Sequence, residues 1–247
     1  MTVDIHTHIL PDLDDGASNL NESLEMARIA AADGTTHLFA TPHHRDYRSL
    51  SRYNVADRVA ELQSKLDETD IQLTLIPGHE VRLYDDMFDD WDKELAGPLG
   101  GSRYVLAEPL FHRYNKRTDD MLFELFDRGY IPIMAHPERI SPIQENLSLI
   151  EPFLARGGLT QLTADSLTFD RDWRAKKTAE TMLRNDMAHI IASDAHKPYR
   201  RKPQLSAACK AAALIVGEAQ ATAMVSATPL AVVNDELVPV SSFQQVL

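Results

Sequence analysis

Imidazoles and carboxylates recur in this chain where short apolar runs end. His6-Thr7-His8 closes VDI, Thr41-Pro42-His43-His44 closes THLFA, and Gly78-His79-Glu80 follows the run from Ile71 to Ile76. Glu108-Pro109 follows Tyr104 to Ala107, His136-Pro137-Glu138-Arg139 follows Tyr130 to Ala135, and Ser193-Asp194-Ala195-His196 follows His189 to Ala192. Alternation along a strand puts His6 and His8 on one side, and Asp194 and His196 likewise, so each pair can grip one metal or two neighbouring metals. One HxH pair equally suits half-exposed strand histidines, and Glu80 or Glu108 alone suits a salt bridge. Six such endings in one chain point instead to a metal site. Nitrogen and oxygen ligands without thiolates suit Mn²⁺, Fe²⁺, Zn²⁺ or Mg²⁺, and the imidazole share favours the first three over Mg²⁺ alone. Ions held this way acidify water near neutral pH and make it a nucleophile.

The elements that must position these residues alternate along the chain. Strands are expected at Val3 to Ile5, Thr36 to Ala40, Ile71 to Ile76, Tyr104 to Ala107, Tyr130 to Ala135, Leu159 to Thr163 and His189 to Ala192. Helical spacing or caps mark Asn19 to Asp33 (closed by Gly34), Tyr53 to Glu68, Asp119 to Arg128, Gln144 to Arg156, Arg171 to Asn185 and Leu205 to Gln220. The segment from Thr228 onward reads as a short appendix. Repeated βα units imply parallel strands with helices outside, closed as a barrel or open as a wound sheet. In a barrel all strand C-termini share one face, so the six endings would meet there. His37, His112 and His189 lie off this pattern and read as structural or surface residues. Met182, Met187 and Met224 read as core filler. The acidic run Asp85, Asp86, Asp89, Asp90 and Asp92 reads as a solvated helix start or loop.

The 247 residues, 44% hydrophobic and 25% charged, suit one globular domain spanning 1–247 and exclude disorder as the main state. With 25 Lys+Arg against 37 Asp+Glu the net charge is −12, which argues against nucleic acid or an anionic membrane as partner. The lone Cys209 cannot form an internal disulfide, and the start MTVDIHTHIL lacks the features of a signal peptide. No apolar run reaches the about 18 residues of a membrane span. A cytoplasmic, soluble protein is the expectation. Cys209 is followed six positions later by Ile215 rather than Arg, which excludes a cysteine-based phosphatase. No GxxxxGK[ST] loop is present, so a P-loop kinase is excluded as well.

The motifs DIHTHILPDLDDG (from Asp4 to Gly16), TPHH, GHE, AHPER, QLTADSL (from Gln161 to Leu167) and SDAH together span residues 4 to about 203. The chain resembles the PHP (polymerase and histidinol phosphatase) superfamily. Within it, the motifs resemble those of the bacterial CpsB/YwqE-type tyrosine-protein phosphatases of capsular and exopolysaccharide synthesis. The resemblance implies a distorted (β/α)7 TIM-like barrel with a cluster of two or three divalent metals, Mn foremost. By resemblance His6, His8, Glu80 and Asp194 would surround the first metal. Glu80, Glu108 and His136 would surround the second, and Asp15, His43 and His196 the third, with Asp14 as the alternative to Asp15. Arg139 and Arg201 match phosphate-binding arginines, with Arg200 as the alternative to Arg201. The four carboxylates against three divalent ions leave the loaded site at about +2, which attracts a phosphate dianion despite the acidic total.

The resemblance further implies a phosphotyrosine protein as substrate, a bacterial tyrosine autokinase in particular, and leaves a homo-oligomer open. One rival is another PHP phosphoesterase such as a histidinol-phosphate phosphatase, against which the DDG and AHPER contexts speak. Another is a metal-holding but inactive module docking on a tyrosine kinase, against which the complete ligand set speaks. The paired arginines disfavour a metal-dependent amidohydrolase.

Overall fold

The computed structural model describes residues 1–45, 54–169 and 172–239. Strands β1 (Thr2–Thr7), β2 (Thr35–Ala40) and β3 (Thr74–Pro77) form one parallel sheet in that order. Strands β4 (Glu80–Arg82), β5 (Tyr104–Glu108), β6 (Ile131–Ala135), β7 (Leu159–Thr163) and β8 (Ile190–Ala192) form a second parallel sheet, also in chain order. Strands β5, β7 and β8 are buried along their whole length, as parallel strands covered on both faces must be. One apolar layer joins Val3, Ile5, Phe39, Leu106, Ile133, Leu159 and Ile190. Val105, Ala107, Met134, Leu162 and Ile191 alternate with these and pack beneath the helices.

Two seams connect the sheets. The chain crosses from the first to the second at Gly78-His79, where β3 gives way to β4 after only two residues. Gly78 permits this turn because a Cβ there would lie 2.8 Å from the Leu99 side chain. Across this seam the Glu80 N–H donates to Pro42 O at 3.1 Å. At the other seam the Asp194 N–H donates to His6 O at 2.9 Å and the His8 N–H to Ala195 O at 2.8 Å.

The larger helices start on side-chain caps, which satisfy backbone N–H groups that no helix turn can reach. Asn19 caps α1 (Leu20–Ala32), and Asn54 caps α2 (Val55–Asp67). After α3 (Met87–Asp92), Asn115 caps α4 (Lys116–Asp127), and its own N–H donates in return to the Thr118 hydroxyl oxygen. The expected helix from Gln144 to Arg156 is instead α5 (Ser141–Glu145), a 3₁₀ turn and α6 (Glu151–Ala155). The break falls at Asn146, which is extended (φ −150°, ψ 100°) and whose side chain accepts the Ser148 N–H. Pro152 stands in the first turn of α6, where its missing N–H is tolerated. After α7 (Ala164–Thr168), Asp172 caps α8 (Trp173–Arg184). The expected ends at Tyr53 and Arg171 lie outside the described residues.

Two further expectations are corrected toward the C-terminus. The helix from Leu205 to Gln220 splits into α9 (Ser206–Val216) and α10 (Glu218–Val225), because Gly217 takes a φ of +84°. The segment from Thr228 is no appendix: α11 (Ala227–Val233) buries Val232 in the apolar layer between the strands. The acidic run is corrected at one residue, since Asp90 is buried and accepts the Tyr84 hydroxyl. Met182, Met187 and Met224 are core residues, and Cys209 lies half-buried in α9.

Candidate metal centre

The strand ends bring His6, His8, Glu80, Glu108, His136 and Asp194 together, each at most 2% exposed. Glu80 sits at the middle. Its Oε1 lies 2.9 Å from His136 Nε2 and 3.3 Å from His6 Nε2, and its Oε2 lies 2.8 Å from His43 Nδ1 and 3.4 Å from His8 Nε2. Asp194 Oδ1 lies 3.4 Å from His6 Nε2 and 3.5 Å from His8 Nε2. Asp15 reaches in from the rim with its side chain 54% exposed, 3.3 Å from His196 Nε2 and 3.6 Å from His43 Nε2.

Among the described residues, four groups of donors each converge to within 4.8 Å: His8, Asp15, His43 and His196; His6, His8 and Asp194; His6, Glu80 and His136; and His43, Glu80 and Glu108. The grouping by resemblance differs at several points. His8 also joins Asp15, His43 and His196, and Glu80 groups with His6 and His136 and with His43 and Glu108 but not with His8 and Asp194. His6 and His43 each reach a second group. Glu108 and His136 do not share a group but lie 3.9 Å apart, each joined instead through Glu80.

The tautomers test whether cations fit here. His6 Nδ1 lies 2.9 Å from Gln161 Oε1, His8 Nδ1 lies 2.6 Å from Asp14 Oδ2, and His196 Nδ1 lies 2.9 Å from the Asp194 carbonyl. A carbonyl or carboxylate can only accept, so each Nδ1 carries a proton and each Nε2 is the atom turned inward, free to present a lone pair to a cation once the ring is neutral. His6 Nε2 and His8 Nε2 then face each other at 3.3 Å, among carboxylates. Lone pairs and anions crowded in this way repel unless cations lie among them, and an outer acceptor behind each imidazole is the usual support of a metal ligand. The residues present therefore fit divalent metals.

Charge and burial act against each other throughout the cluster. Burial disfavours a charge on His6, but Glu80 and Asp194 raise its pKa above the ordinary value. Burial likewise opposes charge on His43, yet Glu80 carries its pKa up to about 9. Burial would raise the Glu80 carboxyl, but His6 and His43 hold it well below the usual range. Asp194 is held low in the same way, against burial, by Arg201 first. A bond from His196 lowers Asp15. Glu80, Asp194 and Asp15 thus favour the ionised form, as metal ligands must.

Asp14 and Asp15 have separate places. Asp15 faces the cluster, whereas Asp14 is buried behind His8 and also accepts the N–H of Gly16 at 2.9 Å and of His43 at 3.1 Å. Gly16 has its own reason: a Cβ there would stand 2.0 Å from the His8 carbonyl oxygen. The DDG run thus folds back onto the backbone of a cluster histidine.

Arg139 and Arg201 both reach the outer oxygen of Asp194, Arg139 Nη1 at 2.8 Å. Arg201 Nη1 also lies 3.3 Å from His196 Nε2, while Arg200 is exposed. Sequence reasoning missed Arg82, whose Nε donates to Glu108 Oε2 at 2.7 Å, and it gave no role to Gln161. The signal for Arg82 was present: it stands two residues after Glu80 on β4 and so shares its side. His136, Asp194 and Arg201 all take left-handed backbone, with φ of +35°, +51° and +51°. The turn at Asp194 ends strand alternation, so Asp194 and His196 meet through a tight turn and not through strand geometry. Such conformations cost non-glycine residues about 1 kcal/mol each and cluster at functional sites.

The chain matches the family model of capsular polysaccharide synthesis proteins, CpsB/CapC, over residues 2–234. It belongs to the CpsB/CapC family. Tyrosine-protein phosphatase YwqE of Bacillus subtilis is 35% identical over 196 residues, covering 78% of this chain and 77% of that protein. Tyrosine-protein phosphatase CpsB of Streptococcus pneumoniae is 25% identical over 242 residues, covering 96% and 100%. A crystal structure from work on these two proteins, described as unique metal-dependent tyrosine phosphatases, superposes with a TM-score of 0.91 at 30% identity over 99% of both chains. A β-aspartyl dipeptidase from Fervidobacterium islandicum AW-1 has a TM-score of 0.52 at 14% identity, over 96% of this chain and 76% of that one, a likeness of fold alone. Among the described residues of this CpsB/CapC member, no helix is long and apolar enough to cross a membrane.

Proposed function

We propose that this chain is a metal-dependent protein-tyrosine phosphatase of capsule or exopolysaccharide synthesis. In this reading residues 1–247 form one domain, and the two sheets make a single distorted barrel of the (β/α)7 type, with β3 and β4 acting as one bent strand. The observation that carries the function is the convergence of outward-braced imidazoles and ionised carboxylates beneath two half-exposed arginines. Two or three divalent ions, Mn²⁺ foremost with Fe²⁺, Zn²⁺ or Mg²⁺ as alternatives, would be held by His6, His8, Asp15, His43, Glu80, Glu108, His136, Asp194 and His196. Such ions supply a Lewis acid that neutralises phosphate charge and acidifies water near neutral pH.

The remaining work falls to the chain itself. Gln161, Asp14 and the Asp194 carbonyl hold three imidazoles with Nε2 inward, so the ligands need no reorientation. Arg139 and Arg201 already bind a carboxylate oxygen at the lip, and a phosphate oxygen offers the same kind of acceptor in a fork-compatible geometry. Phenolate leaves with a pKa of about 10, so the site needs little help from a proton donor. The substrate in the cell would be a phosphotyrosine protein, a tyrosine autokinase in the cytoplasm foremost.

The test is hydrolysis of a phosphotyrosine peptide across a metal series, beside histidinol phosphate. Metal-dependent turnover of the peptide, insensitive to thiol alkylation at Cys209, is the expected result. Preference for histidinol phosphate would move the chain to the other branch of the superfamily. Inactivation by iodoacetamide with metals retained would count against a metal-assisted mechanism.

A further inference from the structure

A second feature lies beside the cluster and is not accounted for by metal binding. A cavity of about 350 Å³ opens next to Glu108, lined by Arg82, Pro109, Leu110, Phe111 and Arg113. That is the size of a small-ligand site, and its floor is mainly apolar where the adjoining cluster is ionic. The Phe111 ring stacks on His136 with centroids 5.3 Å apart and planes 15° apart, and the Arg139 guanidinium lies 5.1 Å from the same ring centroid. One half-exposed aromatic side chain therefore touches both a cluster imidazole and a lip arginine. The turn that carries it is fixed at both ends. The Arg113 N–H donates to Leu110 O at 3.0 Å, and the Ser141 N–H donates to Phe111 O at 2.8 Å.

We infer that Pro109, Leu110 and Phe111 form the seat of an aromatic leaving group, and that Phe111 sets a preference for aryl over short alkyl phosphate esters. The inference rests on the phosphatase reading above and adds the residues that select its substrate class. Depth supplies the first argument. His6, Glu80, Glu108, His136 and Asp194 are buried, so a phosphate can reach them only on a stem that bridges the rim. A phenyl ring is long and rigid, whereas the stem of phosphoserine is one methylene. Chemistry supplies the second. An aryl ester leaving the cluster would pass from guanidinium and imidazole onto an apolar wall whose aromatic face suits ring packing. An alkyl ester would gain nothing from that wall. Arg82 and Arg113 flank the cavity as cations, which suits acidic residues beside the substrate tyrosine.

The experiment uses the metal-loaded protein and its Phe111→Ala and Phe111→Leu variants. Catalytic efficiency is measured on phenyl phosphate and on propyl phosphate. Binding of phenylphosphonate and propylphosphonate is measured by calorimetry, and metal content by elemental analysis. The phenyl-over-propyl preference should fall about tenfold in Phe111→Ala and less in Phe111→Leu, in both efficiency and binding, with metal content as in the parent. An unchanged preference overturns the inference. So does a loss confined to preparations that also lose metal, which makes Phe111 a support for His136. Hydrolysis without a Phe111-dependent preference removes the seat and leaves the phosphatase reading standing. A Phe111-dependent preference for phenylphosphonate without hydrolysis of either ester does the reverse. Binding of neither phosphonate overturns both.

Discussion

At their C-terminal ends the strands deliver His6, Glu108, His136 and Asp194, and the first residue of β4 delivers Glu80, into one buried, charged cluster. At their N-terminal ends the same strands meet apolar residues of α11 and the tail that follows it. Val232 is fully buried there beside Val3, Leu159 and Ile190, and the Tyr104 hydroxyl donates to Glu236 O at 2.7 Å while accepting the Val238 N–H at 3.0 Å. Arg103 closes the same end with a forked pair on Asp235, at 2.9 and 3.0 Å. Both ends hold non-glycine residues at positive φ, His136 and Arg201 at the functional end and Asp186 and Asp235 at the other. Among the described residues, however, the functional end buries Asp4 Oδ2, Glu138 Oε2 and Gln161 Nε2 without a hydrogen-bond partner, against Thr35 Oγ1 at the opposite end. Burial also lifts the Asp4 carboxyl to about 6. Chemistry is therefore bought locally at a cost in stability, and the opposite end of the same strands offsets it.

Gly16→Ala should have the largest effect at the functional end. The new methyl would meet the His8 carbonyl, so the DDG turn must move and take Asp14 and Asp15 with it. Bound metal should fall, and efficiency on a phosphotyrosine peptide should drop about a hundredfold, since a 1 Å misplacement can cost that much. Near-normal metal content and turnover would show that the turn does not set the cluster.

Arg139→Ala should cost about 1.5–3 kcal/mol in kcat/KM, or about tenfold to a hundredfold, with metals retained. Lysine at 139 should restore only part, because an ammonium keeps the charge but lacks the fork. Parent-like efficiency in the alanine variant would remove Arg139 from the site, and lost metal would make it a brace for Asp194.

Val232→Ala probes the other end. Removing two buried carbons and leaving a cavity should cost about 2 kcal/mol of stability, read by urea unfolding. Turnover per bound metal should not change. A parallel loss of metal would mean that the two ends are not separable.

The smallest effect concerns pH at the same end. Burial depresses the His189 pKa from 6.5 to about 4, and its Nδ1 accepts the Thr160 N–H at 3.2 Å. The folded state thus holds this ring neutral while the unfolded chain protonates it. Its contribution is full above pH 6.5 and is lost as pH falls toward 4. The stability gap between the parent and His189→Gln should narrow by on the order of 1 kcal/mol across that window. A gap independent of pH would contradict this.

Much of the site was legible because strand endings carry their chemistry in short motifs. His6, His43, Glu80, Glu108, His136, Asp194 and His196 each close an apolar run, and parallel topology brings such endings to one face. Asp15 and Arg201 stand on loops, so they followed from family resemblance rather than from periodicity, with their neighbours Asp14 and Arg200 as alternatives. Gln161 and Arg82 were harder. Gln161 acts through His6 from a different strand, a relation that no local pattern encodes. In the fold, β4 was missed because three residues cannot show a period. The break at Asn146 was missed because the apolar spacing around it outweighed one cap-forming residue. The helix α11 was overlooked because its apolar face pairs with the strand N-termini, which are distant in sequence.

The central claim is that the buried histidine and carboxylate cluster exists to hold divalent metals for phosphate-ester hydrolysis. Elemental analysis joined to a phosphotyrosine-peptide assay, before chelation, after chelation and after Mn²⁺ is returned, tests it most directly. The expected outcome is two or three equivalents of divalent metal per chain in the active protein, loss of metal and activity together on chelation, and recovery of both with Mn²⁺. Full activity in protein shown to be metal-free would contradict it.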